Sequence, residues 1–499
     1  MRNLSKSRVL AFLQCPKRLW LEVHRPDLVK VSASTQASFN VGYQVGDIAR
    51  QIYDPAGKGQ LIDAQIEGFN AAFARSTALL SSSEPIFEAG FAISGALAFA
   101  DVLLPVEQDG KNGWRMIEVK ASASVKDYQR DDAAFQAYVA RTAGVPLVSL
   151  ALAHVDSTWV YPGDQNYQGL LQELELTDEV FAREAEVMAW IADAQSVVAK
   201  NDAPEIKTGR RCSAPYECSF LEYCKSQEPQ ADYPVSWLPR VQRKALKALI
   251  DDGGVIDMRD IPDELLNETQ SRVKACSLTN ATYFDATNAA ADLAPHSLPA
   301  YFIDFETIQF VVPIWKGTRP YQQIPFQFSV HYLSSDGQLT QKWFIDLTGN
   351  DPSEAFAKEL IAACGDSGPV FVYNAGFEAA RIKELGDRLP VLKTALLAIN
   401  ERIVDLLPIA KRRYYHPSQK GKWSIKKVLP SIAPIRHDEL EGVQDGGMAM
   451  DAFREATSPD TPLERKAAIK DELLKYCELD TYAMIKLWQF FAGRNDLLI

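Results

Sequence analysis

YFIDFETIQF, residues Tyr301–Phe310, is the stretch from which the carboxy-terminal half of the chain is read. It is mostly apolar, with two acids, Asp304 and Glu306, standing two positions apart. Successive side chains of a strand point to opposite faces, so these two carboxylates share one face. Burying a pair of acids side by side is costly unless a cation neutralises them. The stretch therefore predicts a strand that carries part of a metal site.

The flanking sequence after Pro295 has an α/β texture. AYFIDFET, FQFSVHYL and QKWFIDL read as three successive strands, followed by a helix over 352–363, the strand PVFVYN and a helix around 379–385. RIVDLL begins the next unit, and a long helix over 462–491 ends the chain. YNAGFE brings Glu378 to a strand-to-helix turn, and KYCELDTY puts Tyr476 and Asp480 one turn apart on one helix face. Four acids so distributed suit one or two metal ions, the two-ion form having the ions roughly 3.5–4 Å apart and clamping the attacking and leaving oxygens of a phosphodiester.

The ordered set Asp304-Phe305-Glu306, then Asn374 with Phe377-Glu378, then Tyr476 with Asp480 resembles the motifs of DnaQ-like, RNase H-fold exonucleases of the DEDDy type. The resemblance covers 297–495. It implies that Asp304, Glu306, Glu378 and Asp480 bind Mg²⁺ or Mn²⁺, that Tyr476 orients the attacking water, and that Asp405 supports the site. Glu378 stands where that family usually has Asp.

In the amino-terminal half, PIFEAGFAI, GALAFADVLLP and WRMIEVKAS are strand-like, and DGKNG (109–113) between the last two reads as a hairpin turn. Asp101 ends one arm, and Glu118 and Lys120 share a face of the other. Two carboxylates there can hold a hard divalent cation. The lysine can orient or help deprotonate a water while the metal stabilises phosphate charge. A helix with Gln136 and Tyr138 in DDAAFQAYV follows, then the strand PLVSLALAHV and an amphipathic helix over 176–201. Helical spacing also marks 5–23 and 37–53.

Three of the seven cysteines, Cys212, Cys218 and Cys224, lie in RCSAPYECSFLEYC, and Cys15 lies in FLQCPKRLWLE. Helix, D…ExK hairpin, Q-x-Y helix and these cysteines together resemble the RecB-like branch of PD-(D/E)XK nucleases, which includes CRISPR-associated RecB-like exonucleases and the AddB nuclease domain. The resemblance covers 1–225. It implies catalytic Asp101, Glu118 and Lys120, with the two acids on the metal, and a 4Fe-4S cluster on Cys15, Cys212, Cys218 and Cys224. Ala100 replaces the proline before the aspartate, and VGYQVGDIAR lacks the histidine of many relatives, leaving Glu88 as a candidate replacement ligand. Zn²⁺ on the same cysteines is the rival filling.

The whole chain is expected to be α/β and multidomain: a restriction-endonuclease-like nuclease with its iron–sulfur segment (1–229), a helical connector (230–295) and an RNase H-like exonuclease-type domain (296–499). The chain is similar to a bacterial family of RecB-like proteins with this fusion. A metal-dependent nuclease is expected, an exodeoxyribonuclease acting on single-stranded DNA ends in repair or phage defence, with DNA favoured over RNA. The alternative is a nucleic-acid-binding scaffold with one or both folds inactive.

Net charge of −12 argues against a surface coated uniformly by nucleic acid. Locally, Lys411, Arg412, Arg413, Lys420, Lys422, Lys426 and Lys427 are interleaved with Tyr414, Tyr415 and Trp423, a composition suited to phosphates and stacked bases. GxxxxGK[ST] is missing, so any helicase is a separate partner. HExxH and C2H2 spacing are missing too. No apolar run of membrane-spanning length occurs, and the expected address is cytoplasmic, with no membrane partner.

Overall fold

The computed structural model describes all residues except Met1, Val31, Ser32, Asp109, Asn495 and 497–499. The chain is mixed α/β and forms two compact units. The first is 1–229 with the excursion 310–321; the second is 230–309 with 322–499. Among the described residues, no helix is long and apolar enough to cross a membrane.

The first unit is built on a mixed sheet. Its strands run, in spatial order, Gln60–Leu61, Ile86–Ile93, Ala96–Gln108, Lys111–Lys120, Leu147–Val155 and Leu171–Glu175, and Leu4–Ser5 pairs in parallel with Ala96 and Leu97. The central arms are antiparallel, with Val102 opposite Ile117 and Gln108 opposite Lys111. The hairpin thus closes more tightly than the polar run DGKNG suggests. Asp109 lies outside the described residues, but Gly110 has φ 72°, the left-handed geometry that two-residue hairpin turns require. Lys111–Lys120 then pairs in parallel with Leu147–Val155, and helix Asp127–Thr142 makes the crossover. That helix buries Ala133, Ala134, Phe135, Ala137, Val139 and Ala140 in the core with Leu103, Met116 and Leu150.

Two stretches read as single helices are broken. The 5–23 segment is Lys6–Gln14 and Pro16–His24, with Cys15 extended between them (φ −164°, ψ 115°). A proline disfavours the helical conformation in the residue before it, so the Cys-Pro pair lifts Cys15 out of the helix. The 176–201 segment is Thr177–Phe181 and Glu184–Val198.

In the second unit five strands lie in the order Leu339–Ile345, Ile324–Leu333, Ala300–Ile308, Val370–Val372 and Ile403–Asp405. The first three are antiparallel neighbours and the last two join in parallel. Ile303 and Phe305 face one way, into a core with Phe356 and Leu360 of helix Ser353–Cys364. Asp304 and Glu306 therefore face the other way, as alternation requires. The long helix Leu463–Ala492 packs Met484, Trp488 and Phe491 into the core with Phe302 and Phe371. Residues 230–299 contribute Leu246, Met258 and Val273 to that core, and Tyr283–Phe284 pairs with Tyr414–Tyr415.

Candidate metal centres

In the second unit the strand Ala300–Ile308 and the helix Leu463–Ala492 bring Asp304, Glu306 and Asp480 together. One ligand oxygen from each lies within 4.8 Å of the others, and Glu306 and Asp480 are buried. This is the compact group of three metal-ligating side chains found among the described residues. Burial pushes the Asp304 carboxyl well above its ordinary range, with Asp480, Glu306 and Glu378 adding to the rise. Glu306 is raised likewise by burial and by Asp480. Buried acids gathered this closely form a group that could hold a metal ion.

Glu378 lies outside that group of three but is within electrostatic reach. Its helix, Gly376–Arg388, starts in a turn held by Asp405, whose carboxylate accepts from the N–H of Asn374 (2.9 Å) and of Ala375 (3.1 Å). Asn374 has φ 81°, and Asp405 also caps helix Leu406–Arg413 through the Leu407 N–H. Asp405 thus supports the turn that presents Glu378. The Glu378 carboxyl is buried and pushed up to about 8, chiefly by burial, and its Oε2 has no hydrogen-bond partner. Phe377 packs among partly buried residues beside that helix.

Tyr476 lies one turn from Asp480, as the spacing predicts. Its hydroxyl accepts from Lys426 Nζ at 3.1 Å, and that ammonium lies 4.9 Å from the centre of the ring. Sequence reading missed three neighbours. His437 is buried and its Nε2 meets Asp480 Oδ1 at 2.8 Å. Cys477 donates to Asp304 O at 3.6 Å, and Lys426 lowers Glu306 by its charge. Nothing in the spacing links His437 to an acid 43 positions away.

Part of the basic stretch has a different role from that expected. Tyr414, Tyr415 and Trp423 are core residues, so they offer no faces to bases. Arg413 is paired with Asp285 and Asp292. Lys411, Arg412, Lys420, Lys422 and Lys427 remain at the surface.

In the first unit the hairpin gathers the expected residues. Asp101 is next to Glu118 across the antiparallel pair, where its Oδ2 accepts the Val119 N–H at 2.7 Å. Glu118 is fully buried; its Oε1 accepts from Lys120 Nζ (2.5 Å) and from Lys6 Nζ (2.8 Å), while its Oε2 has no partner. Lys120 also donates to Asp132 Oδ2 at 2.6 Å, and Gln136 donates to Asp132 Oδ1 at 3.0 Å. Tyr138 packs against the core instead. Burial opposes ionisation of Glu118, but Lys120 and Lys6 outweigh it and hold the carboxyl well below its ordinary range. Asp101 goes the other way, raised by burial and by Glu118.

Glu88 stands across the strand pair from Asp101, between the Phe87–Val102 and Ala89–Ala100 partners. Its φ of 54° is left-handed inside a strand, a strained state of order 1–3 kcal/mol that clusters at functional sites. Burial and Glu118 raise its carboxyl. Lys6 and Asp132 were not foreseen as members of this site, since Lys6 is 112 positions from Glu118.

Cys15, Cys212, Cys218 and Cys224 line one cavity, together with Lys17, Arg18, Lys207 and Arg211. Gln14 Nε2 donates to the carbonyls of Arg211 and Tyr216, 2.7 Å each, and Arg18 lies 4.9 Å over the Tyr216 ring. All four thiols are free. Cys276, Cys364 and Cys477 are separate buried thiols.

A family model described as a domain of unknown function, DUF2779, matches residues 301–424. The match holds Asp304, Glu306, Glu378 and Asp405 and ends before Tyr476 and Asp480. A search of curated proteins finds no match to the chain.

Proposed function

We propose that the chain is a metal-dependent nuclease hydrolysing phosphodiester bonds of nucleic acid, with two nuclease folds in one chain and single-stranded DNA ends as the preferred substrate, serving DNA repair or phage defence. The observation that carries this reading is the convergence of Asp304, Glu306 and Asp480 within 4.8 Å on one face of the second sheet. The strand order, with Ala300–Ile308, the first strand of the five-stranded sheet in sequence, in the middle, supports an RNase H-like reading of this unit. The Asp101–Glu118–Lys120 hairpin with its crossover helix supports a PD-(D/E)XK reading of the first.

In the second unit Asp304, Glu306 and Asp480 hold the ion, with Glu378 beside them. A bound Mg²⁺ or Mn²⁺ supplies charge stabilisation at the phosphate and a more acidic water. Tyr476 orients the attacking water, and Lys426 fixes the ring that carries its hydroxyl. His437 holds Asp480 in place, the kind of hydrogen bond that commonly orients a ligating carboxylate. In the first unit Asp101 and Glu118 are the ligands, and Lys120 positions the water.

The filling we propose for the cysteine-lined cavity is a 4Fe-4S cluster, a reading supported by its lining. Four thiolates are its usual ligands, and the four basic side chains on the cavity wall offset their charge. Zn²⁺ held tetrahedrally by the same four thiolates is the rival filling, and iron and zinc analysis of the purified protein separates the two. The cluster's role is structural, joining Cys15 to the 212–224 segment.

The second reading is a nucleic-acid scaffold with an inactive fold. Glu378 favours it, being outside the compact acidic group and one methylene longer than the aspartate it replaces. Digestion of end-labelled single-stranded DNA and RNA in Mg²⁺ or Mn²⁺ separates the readings. Wild type is expected to degrade DNA faster, with Asp101→Ala and Asp304→Ala each removing one activity. If wild type leaves both strands intact, the enzyme reading is wrong; if one variant changes nothing, its unit is the binding module.

A further inference from the structure

We propose that Lys6 serves as a built-in cation of the first unit's site, so that this site takes a single divalent ion beside it. The inference rests on the nuclease reading of that unit. It begins from the two oxygens of Glu118. Oε1 is taken by the ammonium groups of Lys6 and Lys120, whereas Oε2 is fully buried without a partner. A buried carboxylate oxygen left unpaired costs free energy, and a cation on that side removes the cost.

Formal charge, counted with every carboxylate ionised as it would be around a bound ion, favours a single ion. Four carboxylates meet here: Glu88, Asp101, Glu118 and Asp132. Two ammonium groups, Lys6 and Lys120, face them, and Lys6 Nζ lies 2.8 Å from Glu118 and 3.7 Å from Asp132. The formal sum is −4 + 2 = −2 for these groups. Arg50, which also acts on Glu88, is neutralised by its own pair with Asp47. One divalent ion balances −2, and a second would leave buried positive charge uncompensated.

Lys6 is held where it is by more than its charge. It is the first residue of helix Lys6–Gln14, whose last residue is bonded to the carbonyls of Arg211 and Tyr216 in the cysteine segment. A nine-residue helix is a stiff rod of about 13 Å, so both of its ends are pinned. A lysine so placed is a fixed charge, unlike a solvated one.

The test is a Mn²⁺ titration followed by electron paramagnetic resonance, without nucleic acid, on the full chain carrying Asp304→Ala and Asp480→Ala to silence the second unit. The expected result is one Mn²⁺ per chain, lost on adding Asp101→Ala. Lys6→Met should bind Mn²⁺ about tenfold more tightly or admit a second ion, because a repelling charge has gone. DNA cleavage at saturating Mn²⁺ should nevertheless fall, and Lys6→Arg should keep the one-ion stoichiometry. A lysine that merely braced the helix would weaken metal binding together with the melting temperature. Two ions in the protein with native Lys6, or unchanged or weaker binding in folded Lys6→Met, overturns the proposal. If that protein binds no Mn²⁺ at all, the nuclease reading of the unit falls first and the proposal with it. Should Lys6→Met not fold, the stoichiometry with native Lys6 and with Lys6→Arg still decides.

Discussion

Glu378 is where the cost of gathering acids without a cation is most measurable. Its carboxyl sits at about 8, raised mainly by burial, and Asp304 and Glu306 are raised too. A carboxyl raised in the fold binds its proton where the unfolded chain has already released it. Unfolding then releases protons, so the metal-free protein loses stability as pH rises from about 4.5 to about 8. Each such group contributes a slope of up to about 1.4 kcal/mol per pH unit. Melting in EDTA should show the decline, Glu378→Gln should flatten it, and Mn²⁺ should abolish it by favouring the ionised acids. If melting in EDTA is level from pH 5 to 8, these carboxyls are not raised in the fold. His437, bonded to Asp480, was beyond sequence reading, because a histidine in a loop carries no sign of the acid it will meet.

Among elements, those that alternate or carry apolar stripes were legible from sequence. The strands Ala300–Ile308, Ile324–Leu333 and Lys111–Lys120 appear where period-two patterning puts them, and helix Leu463–Ala492 begins within a residue or two of its expected start. Helix Gly446–Thr457 was missed, since two leading glycines read as loop and only the Asp445 cap betrays a start. The interleaved aromatics of 414–423 misled for the opposite reason: side chains suited to stacking on bases are equally suited to a core. The turn before Glu378 is an element whose dependence on one residue can be tested. Asp405 satisfies three backbone N–H groups there, those of Asn374, Ala375 and Leu407. Asp405→Ala should cost about 1–3 kcal/mol in urea unfolding, through the unsatisfied donors. It should also lower cleavage by the second unit without altering Mn²⁺ binding by the first. Full activity in Asp405→Ala would mean that Glu378 is placed without that turn.

At the scale of the molecule, distant sequence closes the first unit in two ways. Val311, Val312 and Tyr321 of the 310–321 excursion pack with Val155 and Leu170, and Tyr161 exchanges backbone hydrogen bonds with Gly317 and Thr318. No composition or periodicity assigns twelve residues inside one α/β half to the core of another unit. The cysteines are the more legible tie, because Cys15 and the three thiols of the 212–224 segment line one cavity. The Gln14–Arg211 bond spans 197 positions, and Cys15 stands in the helix break that Pro16 enforces. Cross-linking a loop of that length stabilises by about 5 kcal/mol in the chain-entropy description. Removing any one ligand should therefore unlatch the whole closure. After anaerobic purification, Cys15→Ser should lose iron as fully as Cys218→Ser, and both should melt well below wild type by similar margins. Cys276→Ser, a buried thiol outside the cavity, should keep its iron. A Cys15→Ser protein with full iron would show that the cluster is held by the 212–224 segment without the first helices, and a colourless, zinc-loaded wild type would defeat the cluster itself.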